Sequence, residues 1–250
     1  AALALLATDP ATEVIVVVSK PADAATADRV LASAAATGKP VVAALLGADP
    51  SLAARHGLTP ASTLEEAAHL AASLAGSPAG SPGAGHPPEG DRVATLTGPQ
   101  PEPGGVLRGL FSGGTLCYEA QLVLAAAGIA VHANAPAPGQ LRLDAGRGTT
   151  GHDGHTVIDL GADEFTQGRP HPMIDPAGRD AAVAAALAEQ GVAVVLLDVV
   201  LGHGGSADPI GGLLAVLGAA PLPCPVMAHV CGTDDDPIPR GPVVAALVAA

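Results

Sequence analysis

Apolar positions along the chain fall into two alternating kinds of run. Short, nearly unbroken aliphatic stretches, EVIVVV at 13–18 and VVAALL at 41–46, read as strands covered on both faces. Between and after them, apolar residues recur at helical spacing: Ala27, Val30, Leu31 and Ala34 within 25–36, then TLEEAAHLAASLA from Thr63. Thr63 and Glu66 stand at capping-box positions. This alternation predicts a parallel sheet. With two convincing strands, residues 1–76 read as a truncated α/β domain.

The pattern then stops. Residues 77–105, SPAGSPGAGHPPEGDRVATLTGPQPEPGG, are dense in Gly and Pro and read as an exposed linker. From 106 to 250 the alternation resumes. Strands are expected at Val106–Phe111, Ile129–Ala133, His155–Leu160, Val192–Leu201 and Pro225–Val230. Helices are expected at Thr115–Ala127, Pro176–Glu189 and Ile210–Leu217, and from Pro242 onward. VAVVLLDVVL at 192–201 is the strongest candidate for a central strand. The class is α/β: two flavodoxin-like three-layer domains with parallel sheets, the first truncated. Ligands of such a sheet bind beyond the carboxyl ends of its strands.

Composition sharpens this picture. Apolar residues make up 48% of the chain, ample for a core, yet Phe111, Tyr118 and Phe165 are its only aromatics. The core must therefore be Ala, Leu, Val and Ile. Thirty-two glycines and 24 prolines show no collagen period, and no apolar run is long enough for a membrane span. Twenty-four acids against 11 bases give a net charge of −13, too few cations to neutralise many phosphates, which argues against nucleic acid as a partner. Cys117, Cys224 and Cys231 fit a reducing, cytoplasmic setting better than a disulfide scaffold. The chain starts without Met and its last apolar pattern breaks off in mid-helix, so both termini are expected to extend further.

Candidate chemistry lies where strands end. Ser112, Gly113, Gly114 and Thr115 join a strand to a helix, so several amides would point outward at a positive helix end suited to phosphate or carboxylate. Ser112 is placed to cap the helix and Thr115 to reach the anion. A ligand-free tight turn is the alternative. Cys117 lies in the first turn with no base beside it and reads as a packed thiol; Glu119 is placed to orient a ligand. The loop GADEFTQGRPHPMIDP at 161–176 is polar but stiffened by proline: Arg169 suits a carboxylate or phosphate, His171 a proton transfer, and Asp175 a further polar contact. Gly202, His203 and Gly204 follow the central strand, and Asp198 within it is a carboxylate that needs a partner. The cysteines and histidines lack zinc-site spacing, so no metal is expected; the acids 234–236 read equally as a Mg²⁺ contact or a solvated turn.

GLFSGGTLCYEAQ (109–121), TVIDLGADEFTQGRPHPMIDP (156–176) and LLDVVLGHG (196–204) together resemble the FdrA family, itself similar to succinyl-CoA synthetase. The resemblance implies two ligase-type domains whose helix ends meet phosphoryl groups, at Lys20 in the first and at Ser112–Thr115 in the second. Where the synthetase has Gly and Glu this chain has Ser19 and Lys20, and ADPSLAARHG at 48–57 replaces the phosphohistidine loop. A phosphohistidine shuttle is therefore not expected, at His56 or at His203.

For function, the resemblance implies carbamoyl transfer between an oxalurate-like carboxylate and phosphate, as in allantoin and purine breakdown. Arg169 would hold the carboxylate, with His171 and Glu119 beside it. The ligands would be phosphate or carbamoyl phosphate, with CoA entering only through a domain absent from this chain. An ADP-forming acyl-CoA ligase and a non-catalytic assembly subunit are the alternatives. Expected partners are a small carboxylate substrate and a homo-oligomer or accessory metabolic subunits, with no nucleic acid and no membrane.

Overall fold

The computed structural model describes residues 1–76, 99–143 and 148–250. The chain divides into two compact units, 1–92 and 93–250, each with its own parallel sheet. The linker expected at 77–105 lies outside the described residues over 77–98. Among the described residues no helix is long and apolar enough to cross a membrane.

The first unit carries α1 (Ala2–Thr8), β1 (Ile15–Ser19), α2 (Ala24–Ala35), β2 (Val41–Leu45), α3 (Ser51–Ala54), β3 (Thr59–Pro60) and α4 (Leu64–Leu74). Its three strands pair in parallel in the order β1-β2-β3. Asp23 caps α2 by accepting the Thr26 amide at 3.0 Å, and Thr63 caps α4 by accepting the Glu66 amide at 3.1 Å. Glu66 reaches back one residue beyond the capping-box position, to the Ser62 amide at 2.7 Å. The expectation that EVIVVV is covered on both faces is corrected. Val16 and Val18 are 43% and 45% exposed, because β1 is an edge strand whose packed face carries Ile15 and Val17.

The second unit contains β4 (Val106–Phe111), α5 (Gly114–Ala126), β5 (His132–Ala133), β6 (Leu141–Arg142), β7 (Thr156–Asp159), α6 (Asp163–Thr166), α7 (Ala177–Ala188), β8 (Val192–Val200), α8 (Gly211–Leu217), β9 (Val226–Cys231) and α9 (Arg240–Ala249). Among the described residues six strands, one more than the five expected, lie in the order β6-β5-β7-β4-β8-β9, all parallel. The switch in connection order falls at β4, the central strand. Leu110, Ile158, Val195, Leu197 and Val199 from the sheet pack with Val183, Ala186 and Leu213 from α7 and α8 into the main core. A smaller core of Leu107, Phe111, Cys117, Val131 and Val157 lies under α5. Fully burying each such aliphatic side chain contributes about 1.5–3 kcal/mol.

Strand β5 is shorter than expected because side chains replace its ladder. The carboxamide of Asn134 accepts the Asp159 amide and donates to the Asp159 carbonyl, both at 2.9 Å, continuing the pairing with β7 by one step. Gln140 accepts the Val131 amide at 2.7 Å, and the fully buried Gln121 accepts the Ala137 amide at 2.8 Å. Helix α5 ends where Gly128, at φ +75°, lets the Ile129 amide reach back to the Leu124 carbonyl.

The amino ends of the strands are pinned by a buried ion pair. Arg108, 1% exposed, forks onto Glu189 at 2.6 and 3.0 Å and donates to the carbonyls of His152 and Gly154. One side chain thus ties β4, the end of α7 and the loop entering β7. Removing one partner of such a pair strands the other charge in the interior, which costs about 3–5 kcal/mol. Arg108→Ala should lose that much in urea unfolding. The guanidinium of Arg108 holds the Glu189 carboxyl below its ordinary range. Glu189 therefore contributes stability that is present above the unfolded carboxylate pKa and lost as pH falls through the lower folded value. In Glu189→Gln, that component of the acid-side slope should disappear.

Candidate functional site

The opposite, carboxyl ends of β4, β7, β8 and β9 gather the polar loops. Phe111 leads into Ser112 and Gly113, and Gly113 is the N-cap of α5. Asp198, fully buried on β8, reaches across to this turn: Oδ1 accepts the Ser112 amide at 2.5 Å and Oδ2 the Gly113 amide at 2.7 Å. Only glycine fits at 113, since a Cβ there would lie 2.8 Å from Asp198 Oδ2. Burial pushes the Asp198 carboxyl above its ordinary value, opposed by these two amides and by the charge of Arg179.

This geometry corrects the expectation for the Gly-Gly turn. The amides of Ser112 and Gly113 do not point outward at a ligand; the protein's own carboxylate takes both. Ser112 does not cap α5 either. Its hydroxyl is turned into the interior and has no hydrogen-bond partner, although the residue is 1% exposed. Gly114 and Thr115, half-buried, open the helix, and half-buried Glu119 follows on α5. Cys117 is buried in the core under α5.

The 161–176 loop is more ordered than a plain connection. It begins with α6 and closes with a turn in which the His171 carbonyl accepts the amides of Ile174 and Asp175. His171 Nδ1 accepts the Met173 amide at 3.2 Å, which leaves the ring proton on Nε2. The ring packs over Gly161: a Cβ there would run into His171 Nε2 and come within 2.9 Å of the Ser112 carbonyl. Asp175 accepts the Ala177 amide at 3.1 Å and starts α7. Arg169 is exposed and does not line either of the two cavities described below.

Two cavities open at these strand ends. The larger, about 380 Å³, is lined by residues 200–207, which include Gly202, His203 and Gly204, together with Pro237 and Ile238. That is the size of a small-ligand site. The smaller, about 10 Å³, is lined by Ser112, Pro172, Met173, Arg179, Val200 and Ser206, among others. Val200 and Ser206 belong to both. The acids near β9 serve local structure: Asp234 accepts the Gly241 amide at the start of α9, and Asp236 accepts the Thr233 amide, both at 2.6 Å. Among the described residues no group of three or more His, Cys, Asp or Glu is placed to hold a metal ion.

Sequence reasoning missed Arg179. It is 2% exposed on α7, donates from Nε and Nη2 to Asp180 Oδ1 at 3.0 and 2.7 Å, and gives Nη2 also to the Pro209 carbonyl at 2.7 Å. A signal was present. Arg179, Val183 and Ala186 fall at i, i+4 and i+7, which puts the arginine on the apolar stripe of its helix. Lys20, by contrast, is exposed after β1 in the first unit.

An all-parallel sheet with polar loops and a small-ligand cavity at its carboxyl ends defines an α/β protein of the doubly wound class. The sequence profile of the family described as CoA-ligase matches residues 110–250, so the chain belongs to that family. The chain is also similar to the uncharacterized protein YahF of Escherichia coli (strain K12), 34% identical over 252 aligned positions. That alignment covers 94% of this chain and 46% of YahF, so the chain spans about half the length of the curated relative it matches.

Asp198→Ala should uncover the importance of the β4–α5 clamp. Leaving a buried amide unpaired costs about 1–3 kcal/mol, and the substitution orphans two. Urea unfolding should show the loss, and the amide resonances of Ser112 and Gly113 should move. Because the folded carboxyl is raised, its contribution is fully present below the unfolded pKa and fades as pH rises through the folded value. The stability gap between wild type and Asp198→Ala should therefore narrow as pH rises, the reverse of the trend at Glu189.

Proposed function

We propose that the second unit is the acyl-binding part of an acyl-CoA ligase-type enzyme acting on a small carboxylate. The observation that carries this reading is the family match over 110–250 coinciding with a cavity of about 380 Å³ at the carboxyl ends of the strands. The Gly202–Gly205 loop puts main chain rather than bulk against a ligand there, and His203 is its exposed side chain. On the neighbouring loop His171 accepts the Met173 amide at Nδ1 and so presents Nε2 as a hydrogen-bond donor. Arg169 stands exposed on that loop as a cation for an approaching anion. Gly114 and Thr115 offer the first-turn amides that Asp198 leaves over.

The cavity does not fit CoA itself. CoA carries several phosphates, and the lining of the larger cavity contains no Lys or Arg. No step in this reading runs through a CoA contact with this unit, and CoA would be held elsewhere.

Carbamoyl transfer from an oxalurate-like substrate to phosphate is the second reading. It is favoured by the chain's sequence at 48–57, ADPSLAARHG, which offers His56 bound to Asp28 at 2.8 Å rather than a histidine within a glycine loop. Both readings use a small carboxylate, and one experiment separates them. The purified protein is supplied with ATP, CoA and a panel of short carboxylates, and acyl-CoA is trapped with hydroxylamine. In parallel it is given oxalurate and phosphate, and carbamoyl phosphate is assayed. ATP- and CoA-dependent hydroxamate is the expected result. Carbamoyl phosphate alone would move the assignment to the second reading, and neither product would leave an assembly subunit.

A further inference from the structure

The amino end of the second sheet carries two histidines in one short loop, and their rings play opposite parts. His155, just before β7, joins both neighbouring strands. Its carbonyl accepts the His132 amide of β5 at 2.9 Å, and its ring Nδ1 accepts the Leu107 amide of β4 at 3.0 Å. The ladder between β4 and β7 begins one residue later, at Arg108 and Thr156. An imidazole lone pair therefore stands where a paired strand would offer a carbonyl.

His152 does the reverse. Its Nε2 lies 3.1 Å from the Gly148 carbonyl, which can only accept, so that nitrogen carries a proton. Acid leaves this contact intact, because a charged ring donates from both nitrogens. At His155 the added proton sits on Nδ1 and faces the Leu107 N–H, donor against donor. Asparagine would offer an oxygen in the same place and hold the amide at every pH. Asn134 does this for the Asp159 amide at the far end of β7.

The rest of the loop hangs from groups already charged. Arg108 donates to the His152 and Gly154 carbonyls at 2.8 and 2.6 Å, and Glu189 accepts the Gly151 amide at 3.2 Å. Around them stand His132 on β5, whose ring would lie 3.9 Å from a Cβ at Gly154, Asp153 in the loop and Glu102 in the turn before β4. On β8 the residues in register with Val106 and Leu107 are Val192 and Val194, which carry no charge. Arg108 and Glu189 are committed to each other. The ring's own hydrogen bond is what a proton changes.

We propose that residues 151–155 form a pH-sensitive latch on the amino end of the second sheet, with His155 as its sensor. With a neutral ring, the latch fastens the start of β4 to the start of β7. As histidine takes up its proton, between about pH 8 and 5, that bond is lost and the loop is left to Arg108 and Glu189. Glu189 gives way at lower pH, because Arg108 holds its carboxyl below the ordinary range. Release comes in two stages, the first at His155.

Hydrogen exchange followed by NMR tests the latch, with each amide rate taken relative to an unfolded peptide at the same pH. Between about pH 7.5 and about pH 5, protection at Leu107 in wild type should fall about tenfold, the worth of one hydrogen bond. Leu110, deeper in β4, should keep its protection. His155→Asn should hold Leu107 protected throughout, whereas His152→Gln should respond as wild type does. Protection at Leu107 that ignores pH in wild type, or falls equally in His155→Asn, overturns the proposal.

Should His155→Asn not fold, the wild type decides through the isotope-labelled His155 ring. A Leu107 amide resonance that titrates together with that ring supports the latch. One that stays still while the ring titrates overturns it. No ligand enters these measurements, so their outcome is independent of the acyl-binding reading.

Discussion

The carboxylate of Asp198 governs the carboxyl end of the second sheet. It sits in the middle of a strand whose neighbours Leu197 and Val199 are 1% and 0% exposed, where an ionised group loses several kcal/mol of hydration. Two amides from a turn 85 and 86 residues away, at 2.5 and 2.7 Å, and the field of Arg179 repay part of that loss. The consequence is mechanical. The start of α5 is held to β8 by a bond pair that only glycine at 113 permits, and the Ser112 side chain is thereby turned inward. A helix end that would otherwise recruit an anion from solution has been supplied with one from within.

What was readable in the sequence follows from the range of the forces involved. The strands at 106–111 and 192–200 and the helices at 114–126 and 177–188 announce themselves because burial of Val, Leu and Ala acts on each segment through its own period. The strand expected at 129–133 shrank to two residues where the carboxamides of Asn134 and Gln140 take up pairing at its ends, and nothing in local periodicity distinguishes such amides from surface ones. The open face of β1 was hidden for a related reason. An aliphatic run reports that a strand is apolar, not whether a helix lies over each side.

The candidate site was legible as a set of loops and illegible as a set of contacts. The turn at 112–115, the 161–176 loop and the glycines at 202–204 do converge at the strand ends of one sheet, as a doubly wound topology requires. Which atoms remain unsatisfied depends on pairings across long sequence separations. Arg169 drew notice because it sits among prolines and histidine in a polar loop, yet it is exposed. Arg179 escaped notice inside an alanine-rich helix, although an arginine on an apolar stripe needs a buried partner and so marks a polar interior.

With 11 bases in 250 residues, where the buried cations are placed is itself informative. Arg108 and Arg179 are the arginines that the described residues bury, and they sit at opposite ends of the same sheet. At the amino end, Arg108 is saturated: Glu189 takes the fork and two carbonyls take the rest, so that it acts as a fastener with nothing left to offer. At the carboxyl end, Arg179 is held by Asp180 and the Pro209 carbonyl, and its charge reaches Asp198. Two desolvated charges of the same kind thus fasten the two ends of one sheet, each by pairing with a carboxylate and donating to a loop carbonyl.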